Sequence, residues 1–394
     1  MAGEDSPQDA FDRAEHPSRL REVAWLFLKL GTVAFGGPAA HTAMMRHEVV
    51  RRRGWISDQR FVDLMSATNL IPGPNSTELA IHLGYERARW RGLVVAGVCF
   101  IVPAALMVTA LAWAYVRYGD TPALAGLLYG VVPVVVAVIV HALGGLARTV
   151  VKNVWLGAVA AAALAAYLLG VNELVVLGAG AVVSALSHLT AALPGRGRAH
   201  GLAGVPLLAA AQPVFTDPTA SQLAQLFTTL LKIGAVLYGS GYVLVAFVRG
   251  DFVQRLGWIS EQQLLDAVAI GQLTPGPVFT TATFVGYLVA GPLGALVGTV
   301  AIFTPSFVFV GLLTRITDRL RATAWTSAVL DGVNAVSLAL MAGVSLQLAR
   351  TAIVDWPTLA VFGCALLLLW RSRLNSAWLI AGGAAVGLLR LLLG

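Results

Sequence analysis

Long stretches without a charged side chain limit the folds open to this sequence more than any other feature. Residues 92–116, 123–147, 153–172 and 174–195 contain no Asp, Glu, Lys or Arg, and residues 267–314 continue the pattern. A helix needs about 20 apolar residues to cross the hydrocarbon core of a bilayer. The last stretch is too long for one span, and all of them are continuous rather than alternating, which favours helices over a barrel. The pattern predicts an all-α integral membrane protein.

Composition excludes the soluble classes of protein. The chain has 394 residues, of which 57% are hydrophobic and 12% charged, whereas soluble proteins are about 25% charged. The net charge of +7 comes from Arg clusters between the apolar stretches, as expected of membrane loops, so we expect no nucleic-acid partner. Two cysteines in apolar sequence support neither a disulfide framework nor a metal site. A phosphate-binding loop motif is missing too, so we expect neither cofactor nor enzyme activity.

The sequence also contains an internal duplication. At an offset of 203 residues, Gly-Trp-Ile-Ser at 54–57 recurs at 257–260, and Pro-Gly-Pro at 72–74 recurs at 275–277. The offset then becomes 202, because Gly84 corresponds to Gly286. A run of such matches indicates two copies of one unit.

Charge predicts that the two copies have opposite orientations. Three arginines precede the long apolar stretch in the first copy, and three follow it in the second: Arg87, Arg89 and Arg91, against Arg315, Arg319 and Arg321. By the positive-inside rule the copies are inverted, an arrangement typical of secondary transporters. We therefore divide the chain into a polar tail (1–21), repeat 1 (22–193), a cytoplasmic linker (194–219) and an inverted repeat 2 (220–394). The odd crossing that inversion requires is supplied either by residues 21–53 as a broken helix or by residues 201–215.

Each copy has two breaks in its apolar sequence, rich in Gly and Pro. The breaks lie at 36–38 and 72–74 in the first copy and at 239–241 and 275–277 in the second. Backbone groups freed inside a membrane need partners, so such breaks are buried or face a watery cavity. A helix that restarts after a break presents free N–H groups and a positive dipole end, which favours a small anion. Alternatively, the breaks are only caps and kinks in a packed bundle.

The candidate substrate-binding residues come from these breaks, the restarts and two lysines in apolar sequence. They are Lys29, Gly36, Gly37, Pro38, His41, Pro72, Gly73, Pro74, Asn75, Ser76, Thr77, Lys232, Gly239, Ser240, Gly241, Gln272, Pro275, Gly276, Pro277 and Thr280. The two lysines either attract the substrate or extend to the membrane interface. His41 either changes its protonation near neutral pH or takes part only in helix packing.

Several charged residues lie in or near the apolar segments. Glu78 and Asp331 are candidates for proton coupling, because acids inside a membrane often relay protons. Two further pairs match between the copies near a membrane boundary. Arg46 with Glu48, and Arg249 with Asp251, are interpreted as structural salt bridges or as gates.

These motifs resemble the chromate transporter family of the long, two-domain type. The resemblance rests on Phe-Gly-Gly-Pro-Ala-Ala-His at 35–41, Gly-Trp-Ile-Ser at 54–57, Leu-Ile-Pro-Gly-Pro-Asn-Ser-Thr at 70–77 and Gln-Leu-Thr-Pro-Gly-Pro at 272–277. It implies two homologous halves of opposite topology with broken helices. It also implies export of chromate across a bacterial-type inner membrane, driven by the proton motive force, with sulfate as a look-alike and chromate resistance as the result. Glu78 departs from the family pattern, in which Gln is expected.

The partners expected from this interpretation are a small oxyanion, chromate or sulfate, and the lipid bilayer; a homodimer is left open. Three other functions compete with it. A passive anion channel would carry anions without a proton gradient, and a scaffold or receptor would tolerate changes in the Pro-Gly-Pro segments. An exporter of another small anionic or organic solute would not be inhibited by tetrahedral oxyanions.

Overall fold

A computed structural model describes residues 7–35, 37–119, 121–191, 218–238, 241–316, 324–372 and 374–393. The helices of the first half are α1 (Pro7–Val33), α2 (Gly37–Arg46), α3 (Asp58–Thr68), α4 (Asn75–Tyr118), α5 (Pro122–Val150), α6 (Val154–Leu168) and α7 (Glu173–Ala191). Those of the second half are α8 (Pro218–Val236), α9 (Leu244–Val248), α10 (Glu261–Leu273), α11 (Thr281–Ile316), α12 (Ala324–Ala352), α13 (Trp356–Arg371) and α14 (Ser376–Leu393). The two halves therefore contain the same succession of helices. The described residues contain no β-strand, which confirms the all-α fold.

The described part of the chain contains five helices that are long and apolar enough to cross a membrane. They are Asn75–Tyr118, Pro122–Val150, Val278–Thr314, Val329–Ala352 and Ser376–Leu393. This confirms a membrane protein. Helix α1 begins at Pro7, within the segment 1–21 that was expected to be a polar tail. The linker expected at 194–219, and the alternative crossing at 201–215, lie almost entirely outside the described residues.

Helices α4 and α11 are helical hairpins rather than single spans. The backbone reverses at Ala88 and Arg89 in α4, where φ of Arg89 is 53°, and at the equivalent Ala290 and Gly291 in α11. We call residues 75–87 and 90–118 the first and second arms of α4, and residues 281–289 and 292–316 those of α11. The reversal explains how the uncharged stretch 267–314 fits into a membrane.

Glycines hold the two arms of each hairpin together. A Cβ on Gly84 would overlap the carbonyl oxygen of Gly92, and a Cβ on Gly286 would overlap that of Gly294. Residues eight apart in a straight helix are about 12 Å apart along its axis, so this contact requires the reversal. Only glycine lets the two backbones approach so closely.

The two halves pack by the same contacts. In the first half α1 lies on the second arm of α4, where a Cβ on Gly31 would lie 2.7 Å from the carbonyl oxygen of Phe100. In the second half α8 lies on the second arm of α11, with Gly234 against the carbonyl oxygen of Ile302. These residues correspond at the offsets of the sequence repeat, so the duplication extends to tertiary packing.

Equivalent helices of the two halves run antiparallel where they meet. Trp90 and Gly97 come in that order along the second arm of α4. Trp90 lies 3.1 Å from the Cβ position of Gly311, and Gly97 lies against Phe307, which comes earlier in α11. An antiparallel packing of equivalent helices is what inverted repeats would give. The orientation of each half across the bilayer stays a prediction.

Candidate functional site

A cavity of about 910 Å³ lies where the broken helices of both halves meet. Its lining includes residues from all four restarts: Phe35, Pro38 and Ala40; Pro74, Asn75 and Ser76; Gly241, Tyr242 and Val243; Val278 and Phe279. Helices α5 and α12 contribute further wall residues. The structure thus brings together four breaks that are far apart in the sequence. Of the predicted site residues, Gly36, Gly239 and Ser240 lie outside the described residues.

The start of α4 contributes polar groups to this wall, Asn75 and Ser76. The carbonyl of Pro74 accepts hydrogen bonds from the N–H groups of Thr77 (2.7 Å) and Glu78 (3.2 Å). The N–H groups of Asn75 and Ser76 belong to the first turn, where no helical carbonyl precedes them. Together with the helix dipole they favour an anion in the cavity. The equivalent wall in the second half is apolar, Val278 and Phe279.

The Pro-Gly-Pro segment of each half binds the broken first helix of the other half. The N–H of Gly73 donates to the carbonyl of Leu237 at the end of α8 (2.8 Å), and the N–H of Gly276 donates to the carbonyl of Ala34 at the end of α1 (3.0 Å). Both glycines have positive φ, 136° and 96°, a conformation that favours glycine. These reciprocal bonds supply partners for backbone groups that the breaks would leave unpaired.

His41 lies behind the wall and joins three segments. Its Nε2 is 3.0 Å from the carbonyl oxygen of Ala34 and therefore donates to it. In that neutral tautomer Nδ1 accepts from Ser76 Oγ, 3.3 Å away. The ring is 1% exposed and packs edge-on against Phe100. These contacts fit the packing role better than direct contact with a substrate.

Glu78 is buried just behind the start of α4. It is 0% exposed, and neither carboxyl oxygen makes a hydrogen bond of normal geometry within the described structure. Gly73 and Ser306 lie next to the carboxyl group: a Cβ on Gly73 would overlap Oε1 and lie 3.0 Å from Ser306 Oγ. Among the described residues the hydroxyl of Thr77 has no hydrogen-bond partner, and that of Ser306 makes no hydrogen bond of normal geometry. At the equivalent place in the second half, Gly276 faces Ala104 instead of a serine.

His82 is a further buried titratable residue, which the sequence interpretation overlooked. It is 1% exposed, and its Nδ1 has no hydrogen-bond partner among the described residues. It follows Glu78 by four residues, and Glu86 follows it by four more, so all three lie on one face of the first arm. Glu86 is bonded to Arg60 (2.7 Å). A four-residue spacing of titratable groups in an apolar helix was a signal that could have identified His82.

The two lysines predicted to attract the substrate lie in ion pairs away from the cavity wall. Lys29 Nζ is 3.0 Å from Glu48 Oε1, and the same carboxylate accepts bonds from Arg52 and Arg53. In the second half Lys232 Nζ is 2.6 Å from Asp251, which also bonds with Arg255. Lys29 and Lys232 are equivalent in the repeat, and neither lines the cavity.

The expected pairs Arg46–Glu48 and Arg249–Asp251 are replaced by other pairs. Arg46 bonds with Asp58 and Arg249 with Glu261, and these two pairs are again equivalent in the repeat. The acids Glu48 and Asp251 belong to the lysine clusters instead. The sequence pattern identified these charged residues but paired each with a near neighbour in the chain, whereas the arginines bond with acids twelve residues further on, at the start of the next helix.

The remaining predicted residues lie close to the wall or on it. Gln272 accepts a hydrogen bond from Tyr242 (3.3 Å), while its Nε2 has no partner in the part of the chain that the structure describes. Thr280 Oγ1 donates to the carbonyl of Pro277 (2.8 Å) and so caps its own turn. Asp331 lines the cavity and bonds with Lys152. Gly37, Pro72 and Pro275 shape the breaks without lining the cavity.

Comparison with known proteins agrees with this architecture. The family model described as Chromate transporter matches twice, at residues 21–185 and 224–388. The chain is 35% identical to the chromate transport protein of Cupriavidus metallidurans over 94% of its length and 92% of that protein, and 34% identical to the chromate transport protein of Pseudomonas aeruginosa over 92% and 90%. An uncharacterized transporter of Methanocaldococcus jannaschii is 26% identical over 92% of both chains, and no solved structure matches. The chain belongs to the chromate transporter family.

Proposed function

We propose that this protein exports chromate across a bacterial inner membrane by secondary active transport coupled to the proton motive force, and so confers chromate resistance. The observation that carries the proposal is the meeting of four helix restarts, two from each half, around one cavity. Chromate is proposed as the substrate because two relatives are named chromate transport proteins. Paired breaks at matching positions of two repeats are typical of transporter binding sites.

Chromate and sulfate are tetrahedral dianions, and the chemistry of the cavity suits both. The N–H groups in the first turn of α4, which no helical carbonyl precedes, are fixed donors that need no reorganisation when the anion arrives. The Asn75 amide donates to Asn69 (2.7 Å), which orients it at the wall. Since the two anions share shape and charge, we expect sulfate to compete with chromate.

Glu78 is our candidate for the proton carrier. A buried carboxyl that has no cationic partner among the described residues is costly to keep charged, so proton uptake accompanies its burial. The row formed by Glu78, His82 and Glu86 leads along one helix face from the buried carboxyl to a partly exposed ion pair. Asp331, the second candidate, already has a cationic partner.

The test is uptake of radiolabelled chromate into proteoliposomes that contain the purified protein. We expect uptake that depends on a pH gradient and is blocked by excess sulfate. Protein-free liposomes give the background. Uptake that is fast without any gradient would assign a passive anion channel instead, and absence of chromate flux under every gradient would contradict the proposed substrate.

A further inference from the structure

Two opposite charges face each other in the wall of the cavity. Lys152, just after α5, and Asp331, in α12, are the only Lys, Arg, Asp or Glu among the described residues that line it. Lys152 Nζ lies 2.7 Å from Asp331 Oδ1. In this arrangement the one cation of the described wall is already neutralised, although a dianionic substrate needs a cation.

This ion pair breaks the symmetry of the repeat. The lysine clusters and the Arg46–Asp58 and Arg249–Glu261 pairs occur in both halves, as expected for contacts that stabilise a duplicated fold. By contrast, Asp331 corresponds to Tyr129, and Lys152 corresponds to Val354. The equivalent place in the other half also carries a polar contact, because Tyr129 donates a hydrogen bond to Asp355, the residue after Val354. What is particular to the cavity wall is that a lysine occupies this place, paired directly with Asp331.

Separating Lys152 from Asp331 also costs little free energy. The side chains of Lys152 and Asp331 are 57% and 27% exposed. Partly exposed ion pairs contribute little stability because water and salt screen them. A ligand with two negative charges can therefore displace the carboxylate without disrupting the fold.

We propose that Lys152 is the cationic ligand of the transported oxyanion and that Asp331 is a tethered competitor that occupies Lys152 when the site is empty. The inference deepens the proposed function and rests on it. A carboxylate presents two oxygens to the ammonium group, as an oxyanion does. A monovalent ion such as chloride replaces it poorly, whereas a tetrahedral dianion also bonds to the donors at the start of α4. The pair thus selects divalent oxyanions over chloride.

The experiment is equilibrium binding of radiolabelled chromate to the purified full-length protein, with sulfate and chloride as competitors. We expect Lys152→Gln to weaken chromate binding about tenfold or more, because it removes a charge-assisted contact. Asp331→Asn is expected to tighten chromate binding several-fold and to make chloride a better competitor. Arg148→Gln, which removes an exposed cation one turn earlier on α5 and outside the cavity wall, is the matched control and should leave binding unchanged.

The two substitutions are expected to change chromate affinity in opposite directions, and this distinguishes the inference from a purely structural ion pair. If the pair only stabilised the fold, both substitutions would weaken binding, and that result, or an unchanged affinity in Lys152→Gln, would overturn the inference. Misfolding cannot imitate the gain expected of Asp331→Asn, so this variant decides even if Lys152→Gln proves unstable. A wild-type protein that binds no chromate would refute the proposed function itself. If the wild type binds chromate and both substitutions change its affinity in the same direction, only the inference is refuted.

Discussion

The position of Gly73 has a backbone conformation and a lack of space for a side chain that only glycine can accommodate together. Its φ of 136° is strained for an L-amino acid, and the space where a Cβ would lie is taken by the carboxyl of Glu78. Its N–H also joins the two halves by bonding with Leu237. One residue therefore fixes the loop, the position of the buried acid and a contact between the repeats.

We predict that Gly73→Ala removes most of the chromate transport and lowers thermal stability in detergent. The backbone strain alone costs about 1–2 kcal/mol, and the clash with Glu78 adds to it. Chromate flux in proteoliposomes and the unfolding temperature measure the two effects. Gly178→Ala is the control, because Gly178 has open space around it and an ordinary φ. Equal behaviour of the two variants would contradict the packing described for Gly73.

We predict that Glu78→Gln keeps chromate binding but loses the response of uptake to a pH gradient. The amide preserves the shape of the side chain and cannot take up and release the coupling proton. Binding of radiolabelled chromate and gradient-driven uptake are measured on the same preparation. A gradient response that survives the substitution would move the coupling role away from Glu78.

Sequence alone located the breaks and the buried acid but not their neighbours. Gly73 and Glu78 stand out because Gly, Pro and an acid interrupt apolar sequence. The contact of Ser306 with this site was not visible, because the serine comes from the other half of the chain. Likewise Lys29 could not be paired with Glu48 from spacing, since the two residues lie on different helices that only the tertiary fold brings together.

At the scale of elements, the hairpins of α4 and α11 place the restarts at the cavity. Their arms meet at paired glycines, Gly84 with Gly92 and Gly286 with Gly294. The sequence indicated that residues 267–314 exceed one span but not where the chain reverses. The reversal in α4 falls at Ala88 and Arg89, residues that are common in straight helices, so no local signal marks it.

We predict that Gly84→Leu lowers the unfolding temperature of the protein in detergent by several degrees. The side chain would push the arms apart at Gly92, and overpacking of this kind costs about 1–3 kcal/mol. Gly178→Leu adds the same bulk at an exposed helix position and serves as the control. An equally stable Gly84→Leu variant would contradict the close contact of the arms.

At the scale of the whole molecule, the reciprocal bonds from Gly73 to Leu237 and from Gly276 to Ala34 relate the halves by one symmetry. Charge distribution predicted opposite orientations, and equivalent helices do pack antiparallel. The sequence could not show how the cavity forms between the halves. That depends on α5 and α12, whose apolar sequences resemble any other span.

We predict that equivalent positions in the two halves lie on opposite sides of the membrane. Single cysteines replace Asp58 or Glu261 in a protein whose Cys99 and Cys364 are changed to Ser, and a membrane-impermeant maleimide is added from one side. Only one of the two cysteines should react before the membrane is opened. Labelling of both from the same side would refute inversion.

The most direct test of the central claim, that the cavity is the path of chromate, uses two adjacent glycines of α5. Gly145 lines the cavity and Gly144 does not, and beyond the helix itself no atom of the described residues lies within 4 Å of either Cβ position. Chromate flux is measured in proteoliposomes that contain Gly145→Phe or Gly144→Phe. We predict that Gly145→Phe reduces the flux to roughly a tenth or less of the wild-type rate, because the aromatic ring projects into the cavity and narrows the path of the ion. Gly144→Phe should retain the wild-type rate, and equal flux in the two variants would contradict the account.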